Sequence, residues 1–303
     1  VRDLVIQDAD PAADAQALDQ LALWMRQRFA PIVAADSPNG IVIDSTGADH
    51  LHGGEAAMLA TLIEKLAGVG LRARVAIADT WGAAHALARF AARPGYVSEK
   101  GHAASDVAAL PIAALRLAPE LVDGLRVLGF ERIGDLLAPP RAPLTLRFGP
   151  ELARRLDQVT GQLTEPIEPI RPDELIEVRR VFAEPIGAAE TIARYIGQLA
   201  AELCGHLEQK GLGARRLDLV CHRVDSRAQA LRVGTGLPLR DAKRMTRLLY
   251  DKIETIDPGF GIEVMTLAAI VIEPLAPKQV ASSLVEEAEP DVSGWIDLLA
   301  NRV

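Results

Sequence analysis

Apolar residues at Leu18, Leu21, Ala22, Met25 and Phe29 recur at helical spacing, and Asp10 followed by Pro11 supplies an N-cap and a first residue whose fixed φ suits a helix start. The pattern predicts a helix opening at Pro11. Gly40 to Asp44 (GIVID) predicts a buried strand, Glu55 to Ala67 a helix, Leu71 to Ala78 a second strand and Trp81 to Ala92 another helix. Such alternation implies a sheet covered by helices.

From about Leu110 the pattern becomes short helices broken by glycine and proline. Leu125 to Leu137 (LRVLGFERIGDLL) reads as a helix end, a tight turn at Gly129 and a second short helix opening near Ile133, the spacing of a helix-hairpin-helix. Leu146 to Leu156 repeats it more loosely, with Gly149 and Pro150 at the turn. In such hairpins glycine lets backbone N–H groups approach a phosphate without reading the base. Gly129, Arg132, Gly134 and Gly149 are therefore candidate DNA contacts; an ordinary glycine turn between packed helices fits the pattern equally well.

Thr164 to Pro172 (TEPIEPIRP) carries no signal for a regular element and reads as a linker. Beyond it the pattern predicts strand Ile176 to Phe182, helix Ala188 to Gln209, strand Leu217 to Val224, a turn at Asp225 to Arg227, strand Ala228 to Gly234, helix Leu239 to Ile256 and strand Ile262 to Ile272. This β-α-β-β-α-β order is the split ferredoxin-like unit. Ile192, Tyr195, Ile196, Leu199, Leu203 and Leu207 share one helix face, and Met245, Leu248, Leu249 and Ile253 another. Both can cover one side of a four-stranded sheet, which leaves the other side open. Arg179, Arg223 and Arg232, with Arg227 in the turn, would line that open side, either as a phosphate-binding face or as a merely solvated one.

A length of 303 residues makes two or three domains the expectation, and the net charge of −8 argues against a surface that grips nucleic acid throughout. Its distribution sharpens this. Acidic residues outnumber basic ones 23 to 17 from Val1 to Leu175, whereas Ile176 to Leu275 holds 14 basic and 13 acidic residues, so weak DNA contacts belong first to the later block. No apolar run is long enough to span a membrane and no signal-peptide pattern is present, which points to the cytoplasm. The chain opens directly into structured-looking sequence at Val1, as a fragment would. Cys204 and Cys221 lack metal-like spacing and read as small buried apolar groups. His50 and His52 form an HxH without a third ligand at a useful spacing, and His85, His102, His206 and His222 are scattered, so no metal site and no cofactor is expected. GxSxG, Walker and GxGxxG patterns are absent, and Gly211 to Gly213 reads as a helix stop before a strand.

The run Ile41 to Gly54 (IVIDSTGADHLHGG) followed by Leu71 to Ala78 (LRARVAIA) resembles the palm of Y-family translesion DNA polymerases, in which a strand ending in LDVTG precedes a helix and an SIGIA strand. The hairpin segment resembles that family's thumb and the later block its little finger. DPAAD at Asp10 to Asp14, HLHGGEA at His50 to Ala56 and RFGPELARRLDQ at Arg147 to Gln158 are similar to ImuB-type members. The resemblance implies an α+β multidomain chain: partial palm at 1–103, helical thumb at 104–163, linker at 164–175, little finger at 176–275 and a tail at 276–303.

The resemblance also locates a deficit. With Ile43 to Gly47 on LDVTG, the family's catalytic SIDE block falls on Ser37 to Gly40, and its Asp-Glu pair becomes Asn39 and Gly40. Two-metal nucleotidyl transfer needs ionised carboxylates, which an amide and a glycine do not supply. Trp81 and His85 likewise stand where the family has phosphate-facing lysines. Asp36 and Asp44 are the alternative ligands. In the tail, Pro277 to Val285 carries Gln279, Leu284 and Val285 where the family has a sliding-clamp peptide; a plain linker is the other reading. Ser293 to Leu299 opens an amphipathic helix with Trp295. The implied function is a non-catalytic, polymerase-like adaptor of damage-induced mutagenesis. It would join primer-template DNA, the DNA polymerase III sliding clamp, an error-prone DnaE-type polymerase and a RecA-like ImuA protein in the cytoplasm, near the nucleoid. The alternatives are an active translesion polymerase and a DNA-binding module without a clamp role.

Overall fold

The structure is a computed structural model that describes residues 8–172, 174–275 and 297. In chain order its elements are α1 (Pro11–Arg28), β1 (Ile32–Asp36), β2 (Gly40–Asp44), α2 (Glu55–Gly68), β3 (Val75–Ile77), α3 (Trp81–Phe90), β4 (Gly95–Val97), α4 (Ala103–Ala108), α5 (Pro119–Val127), α6 (Ile133–Leu137), α7 (Arg141–Phe148), α8 (Pro150–Thr160), β5 (Ile176–Ile186), α9 (Ala189–Gln209), β6 (Leu212–Arg223), β7 (Ala228–Leu239), α10 (Ala242–Tyr250) and β8 (Ile262–Pro274). Two compact units result: one joins residues 1–51 to 167–303, the other comprises 52–166. The division falls inside the 1–103 block expected to form a partial palm.

In the first unit, α1 starts as the sequence requires, with the Asp10 carboxylate accepting from the Ala13 amide at 3.0 Å and Pro11 in the first turn. Ala22, Met25 and Phe29 turn inward. β1, a five-residue run that the periodicity did not single out, pairs antiparallel with β2 from Ile32↔Asp44 to Asp36↔Gly40. β2 is only half-buried rather than buried throughout. The later block forms a four-stranded antiparallel sheet in the order β5-β8-β6-β7, with the first and third strands of the β-α-β-β-α-β series at its edges. α10 is shorter than its apolar pattern suggested, because Leu239 is still paired with Ala214 in the sheet and Asp241 then caps the helix by accepting from Arg244 N at 3.0 Å.

Strand alternation gives this sheet two unlike faces. One carries Ile176, Val178, Leu217, Leu219, Cys221, Leu231, Val233, Met265, Leu267 and Ala269. Against it pack Ile192, Ile196, Leu199, Leu203 and Leu207 of α9 and Met245, Leu248 and Leu249 of α10, all buried. Each such side chain contributes about 1.5–3 kcal/mol by leaving water, so this face anchors the unit. The opposite face consists of cross-strand rows read from the register: Glu177, Ala268, Asp218 and Arg232 in one, Arg179, Thr266, Val220 and Ala230 in the next.

In the second unit β3 and β4 form a short parallel pair, Val75↔Gly95 to Ile77↔Val97. The helices α3 to α8 enclose a core of Leu87, Ile112, Leu125, Ile133, Leu136, Leu152 and Leu156, each at most 1% exposed. β3 is three residues long against the eight expected, since Leu71 to Arg74 lie outside any strand. No helix among the described residues is long and apolar enough to cross a membrane.

Candidate nucleic-acid interface

The hairpin at Leu125 to Leu137 has the expected helices, and Gly129 takes φ +86°, a conformation that favours glycine. Its amides are engaged within the chain. Gly129 N donates to Arg126 O, Phe130 N to Leu125 O and Ile133 N to Leu110 O. Glu131 N and Arg132 N both donate to the Asp135 carboxylate, at 3.0 and 2.8 Å. These two bonds hold the Asp135 carboxyl below its usual range. The carboxylate therefore satisfies amides that a phosphate would otherwise receive. Gly134 serves packing: a Cβ there would lie 3.0 Å from the Ala108 carbonyl oxygen. Gly149, at φ +83°, joins α7 to α8 and donates its N–H to Thr145 O. Arg132 is exposed, with Nη1 3.3 Å from Ala109 O.

Trp81 and His85 sit on α3 in a cluster that the sequence did not reveal. Arg116, just before α5, has φ +57°, a left-handed conformation uncommon outside glycine, asparagine and aspartate. Its guanidinium lies 4.9 Å from the Trp81 ring centre and pairs with Glu165 at 2.5 Å. Arg155 of α8 reaches the other Glu165 oxygen at 3.0 Å and Glu151 at 2.9 Å. Arg89 Nε donates to His85 Nε2 at 2.7 Å. Burial, then Arg89, Arg116 and Arg155, push the His85 imidazole down to about 4, so it is neutral near pH 7. Glu165 comes from the proline-rich segment read as a linker, and no local signal marks it as a partner for residues 10 and 49 positions earlier.

The second face of the sheet is not the open surface expected. Arg232 is 1% exposed, and its Nε and Nη2 bind the Asp218 carboxylate at 2.7 Å each. Arg223 is 6% exposed, held by Asp225 at 2.6 Å and Asp257 at 2.9 Å. Expecting these two arginines at a solvent-facing surface was wrong for a physical reason. The face also carries Val220 and Ala230, which are apolar and buried under Ile32 of β1, and the cover brought by that contact encloses Arg232 as well. Arg223 is drawn in by two carboxylates beyond its own strand end. Arg179 and Arg227 are exposed.

At the β1–β2 turn, Asn39 lies in the turn itself and Gly40 opens β2. Asp44 Oδ1 accepts from Thr46 N at 3.0 Å. Asp36 pairs with Gly40 and Asp44 with Ile32, so these aspartates occupy opposite ends of a five-residue ladder, roughly 13 Å apart along the strands. His50 and His52 lie in a 3-10 turn at Asp49–His52. Among the described residues no three His, Cys, Asp or Glu side chains are grouped to hold a metal ion. Cys221 is buried and Cys204 half-buried, and burial pushes their thiols up to about 12 and about 11, so both stay protonated. Gln279, Leu284 and Val285 lie outside the described residues.

Residues 176–282 match the impB/mucB/samB family C-terminal domain. Over its whole length the chain is 45% identical to Protein ImuB of Caulobacter vibrioides, strains NA1000 / CB15N and ATCC 19089 / CIP 103742 / CB 15. The chain is an ImuB homologue. It spans 66% of the length of those ImuB relatives. Its architecture is mixed α/β, with a four-stranded sheet and helices. Among solved structures, a Dbh ternary complex is 12% identical with a TM-score of 0.42, covering 84% of this chain and 76% of its own. DinB from Sulfolobus solfataricus is 13% identical with a TM-score of 0.42, covering 84% and 75%. The little finger domain of PolIV in complex with a β-clamp processivity factor is 18% identical with a TM-score of 0.29, covering 37% of this chain and all of its own.

Proposed function

We propose that this ImuB homologue is a polymerase-like adaptor that joins no nucleotides and instead brings the sliding clamp, primer-template DNA and an error-prone DnaE-type polymerase together in translesion synthesis. The observation that carries the reading is the β1–β2 ladder, which holds Asp36 and Asp44 too far apart to share a cation; the resemblance sets Asn39 and Gly40 at its turn on the family's carboxylate pair. Asp36 and Asp44 would each meet a divalent ion separately, and in-line transfer needs the charge of several carboxylates together. In this reading residues 1–103 are a partial palm, 104–163 a thumb, 164–175 a linker and 176–275 a little finger. The clamp segment contains Gln279, Leu284 and Val285, and an ImuA-type RecA-like protein is a further partner.

Primer extension tests the central claim. Purified protein with magnesium or manganese is expected to add no nucleotide; template-dependent incorporation abolished by Asp36→Asn or Asp44→Asn would establish the active polymerase instead. DNA contact is proposed to be weak and independent of sequence, through Arg132, Arg179 and Arg227 near the phosphates, with Gly129, Gly134 and Gly149 shaping the hairpins. The double variant R179E/R227E is expected to weaken binding equally on all sequences and to lower the salt slope by about 2, one unit per lost phosphate contact. Clamp pull-down with Gln279→Ala tests the tail: retained capture would leave DNA binding without a clamp role.

A further inference from the structure

The face of the sheet opposite α9 and α10 holds more positive charge than its own residues neutralise. Arg26 of α1 and Arg232 are buried, Arg216 is half-buried, and Asp218, at 0% exposed, is the carboxylate bonded among them. Glu177 acts on Arg26 from the same row, opposed by Arg171. Burial lowers Arg26 and Arg216 from the ordinary guanidinium range, the direction expected where charge is poorly compensated. Other donors go to backbone oxygens at the C-terminal end of α1 and, for Pro31, just beyond it. Arg232 Nη2 donates to Arg26 O at 2.7 Å, Arg216 Nη1 to Gln27 O, and Arg26 Nε to Pro31 O at 3.1 Å. Helix C-terminal carbonyls are partly negative and lack partners within the helix. They thus give the sheet arginines a neutral substitute for an oxyanion. The match is incomplete: Arg232 Nη1 and Thr266 Oγ1, both buried on this face, have no hydrogen-bond partner among the described residues.

We infer that Arg216 and Arg232 form a phosphate-binding site for the nucleic-acid backbone, and that the C-terminal end of α1, with the loop after β2, occupies this site in competition with DNA. The inference rests on the DNA-binding reading above. A carbonyl carries only a fraction of a charge, whereas a phosphate oxygen makes charge-assisted bonds roughly twice as strong. DNA therefore has an advantage at this site that the cover offsets through apolar contact, Ile32 against Val220 and Ala230. The loop is seated closely. Gly47, at φ +74°, lies so near β7 that an added Cβ would fall 2.2 Å from the Ala230 carbonyl oxygen.

Hydrogen exchange on the whole chain, with and without a saturating fluorescein-labelled DNA duplex, tests this. Amides at the end of α1, including Phe29 N bonded to Met25 O, are expected to exchange faster when DNA is bound; unchanged or slower exchange at saturation overturns the inference. Gly47→Val, which wedges the loop from β7 without adding charge, is expected to bind about tenfold tighter, with a salt slope steeper by about 2. Adding Arg232→Gln to that variant is expected to remove the gain. A wild-type chain that binds no duplex at any concentration overturns the DNA-binding reading and the inference with it. Binding that leaves α1 protected overturns the inference alone. An equal rise in exchange with inorganic phosphate would show a site for free anions rather than for a nucleic-acid backbone, and would also overturn it.

Discussion

Two clusters of arginine, one in each compact unit, are neutralised by different means. In the first unit Arg232 is bonded to one carboxylate, Asp218, and Arg232 and half-buried Arg216 also reach carbonyls of α1, with Arg26 and Arg232 away from water. In the second, Arg116 and Arg155 share Glu165, Arg155 also holds Glu151, and His85 stays uncharged beside Arg89, with water at the margin. A buried charge costs several kcal/mol to desolvate, so its partner is indispensable. A part-exposed charge draws on water and salt, so any one partner matters less. The same residue types are thus committed in one cluster and adjustable in the other.

The sharpest way to break the comparison is at Asp218. Asp218→Ala leaves Arg232 buried without its bonded anion and Arg26 without the nearby negative charge, and is expected to destabilise the protein by about 3–5 kcal/mol, read as a lower midpoint in urea unfolding. The double replacement Asp218→Leu with Arg232→Met removes both charges and keeps volume. It is expected to recover most of that loss, since apolar substitution of a buried pair is often neutral. A single variant costing less than about 1 kcal/mol would mean that water reaches Asp218 and that the two clusters are alike.

The same contrast explains what the sequence made legible. The helix-covered face of the sheet announces itself: Leu217, Leu219 and Cys221 alternate along β6, and Ile192, Ile196, Leu199 and Leu203 keep helical spacing on α9, because burial of one face imposes the period. The β-α-β-β-α-β order followed directly. The other face has no such imprint. Arg232 alternates as an exposed residue would, yet its Nη2 donates to the Arg26 carbonyl 206 positions earlier. Arg116 gave no warning either, for nothing in its neighbours predicts a left-handed arginine stacked on Trp81. β4 escaped because three residues carry too little pattern, and β1, no shorter than β2, was not singled out by its pattern.

At the second cluster the expected effect is smaller. Glu165→Gln keeps the shape but removes the charge that Arg116 and Arg155 share. With both arginines able to turn to water, the loss is expected to be about 1–2 kcal/mol in the same unfolding measurement. Raising salt to about 1 M should narrow the gap between wild type and variant, whereas the Asp218→Ala deficit should hardly respond, because screening acts on exposed pairs. Equal salt responses would remove the distinction between the clusters.

The smallest effect lies at His85 and tests whether the second cluster restrains charge at all. Unfolding returns the imidazole from about 4 to the ordinary 6.5. Between those values the unfolded chain binds a proton that the folded chain does not, so stability falls as pH drops from about 6.5 towards 4 and is unaffected by this group above that window. Because the ring is only part-buried, screening holds the loss to about 1 kcal/mol. His85→Gln cannot titrate. Its stability is expected to decline less than that of wild type across pH 6.5 to 4, while the two run parallel from pH 7 to 8. Parallel curves throughout would mean that Arg89, Arg116 and Arg155 impose no penalty on a charged His85, and that the cluster is as relaxed as open surface.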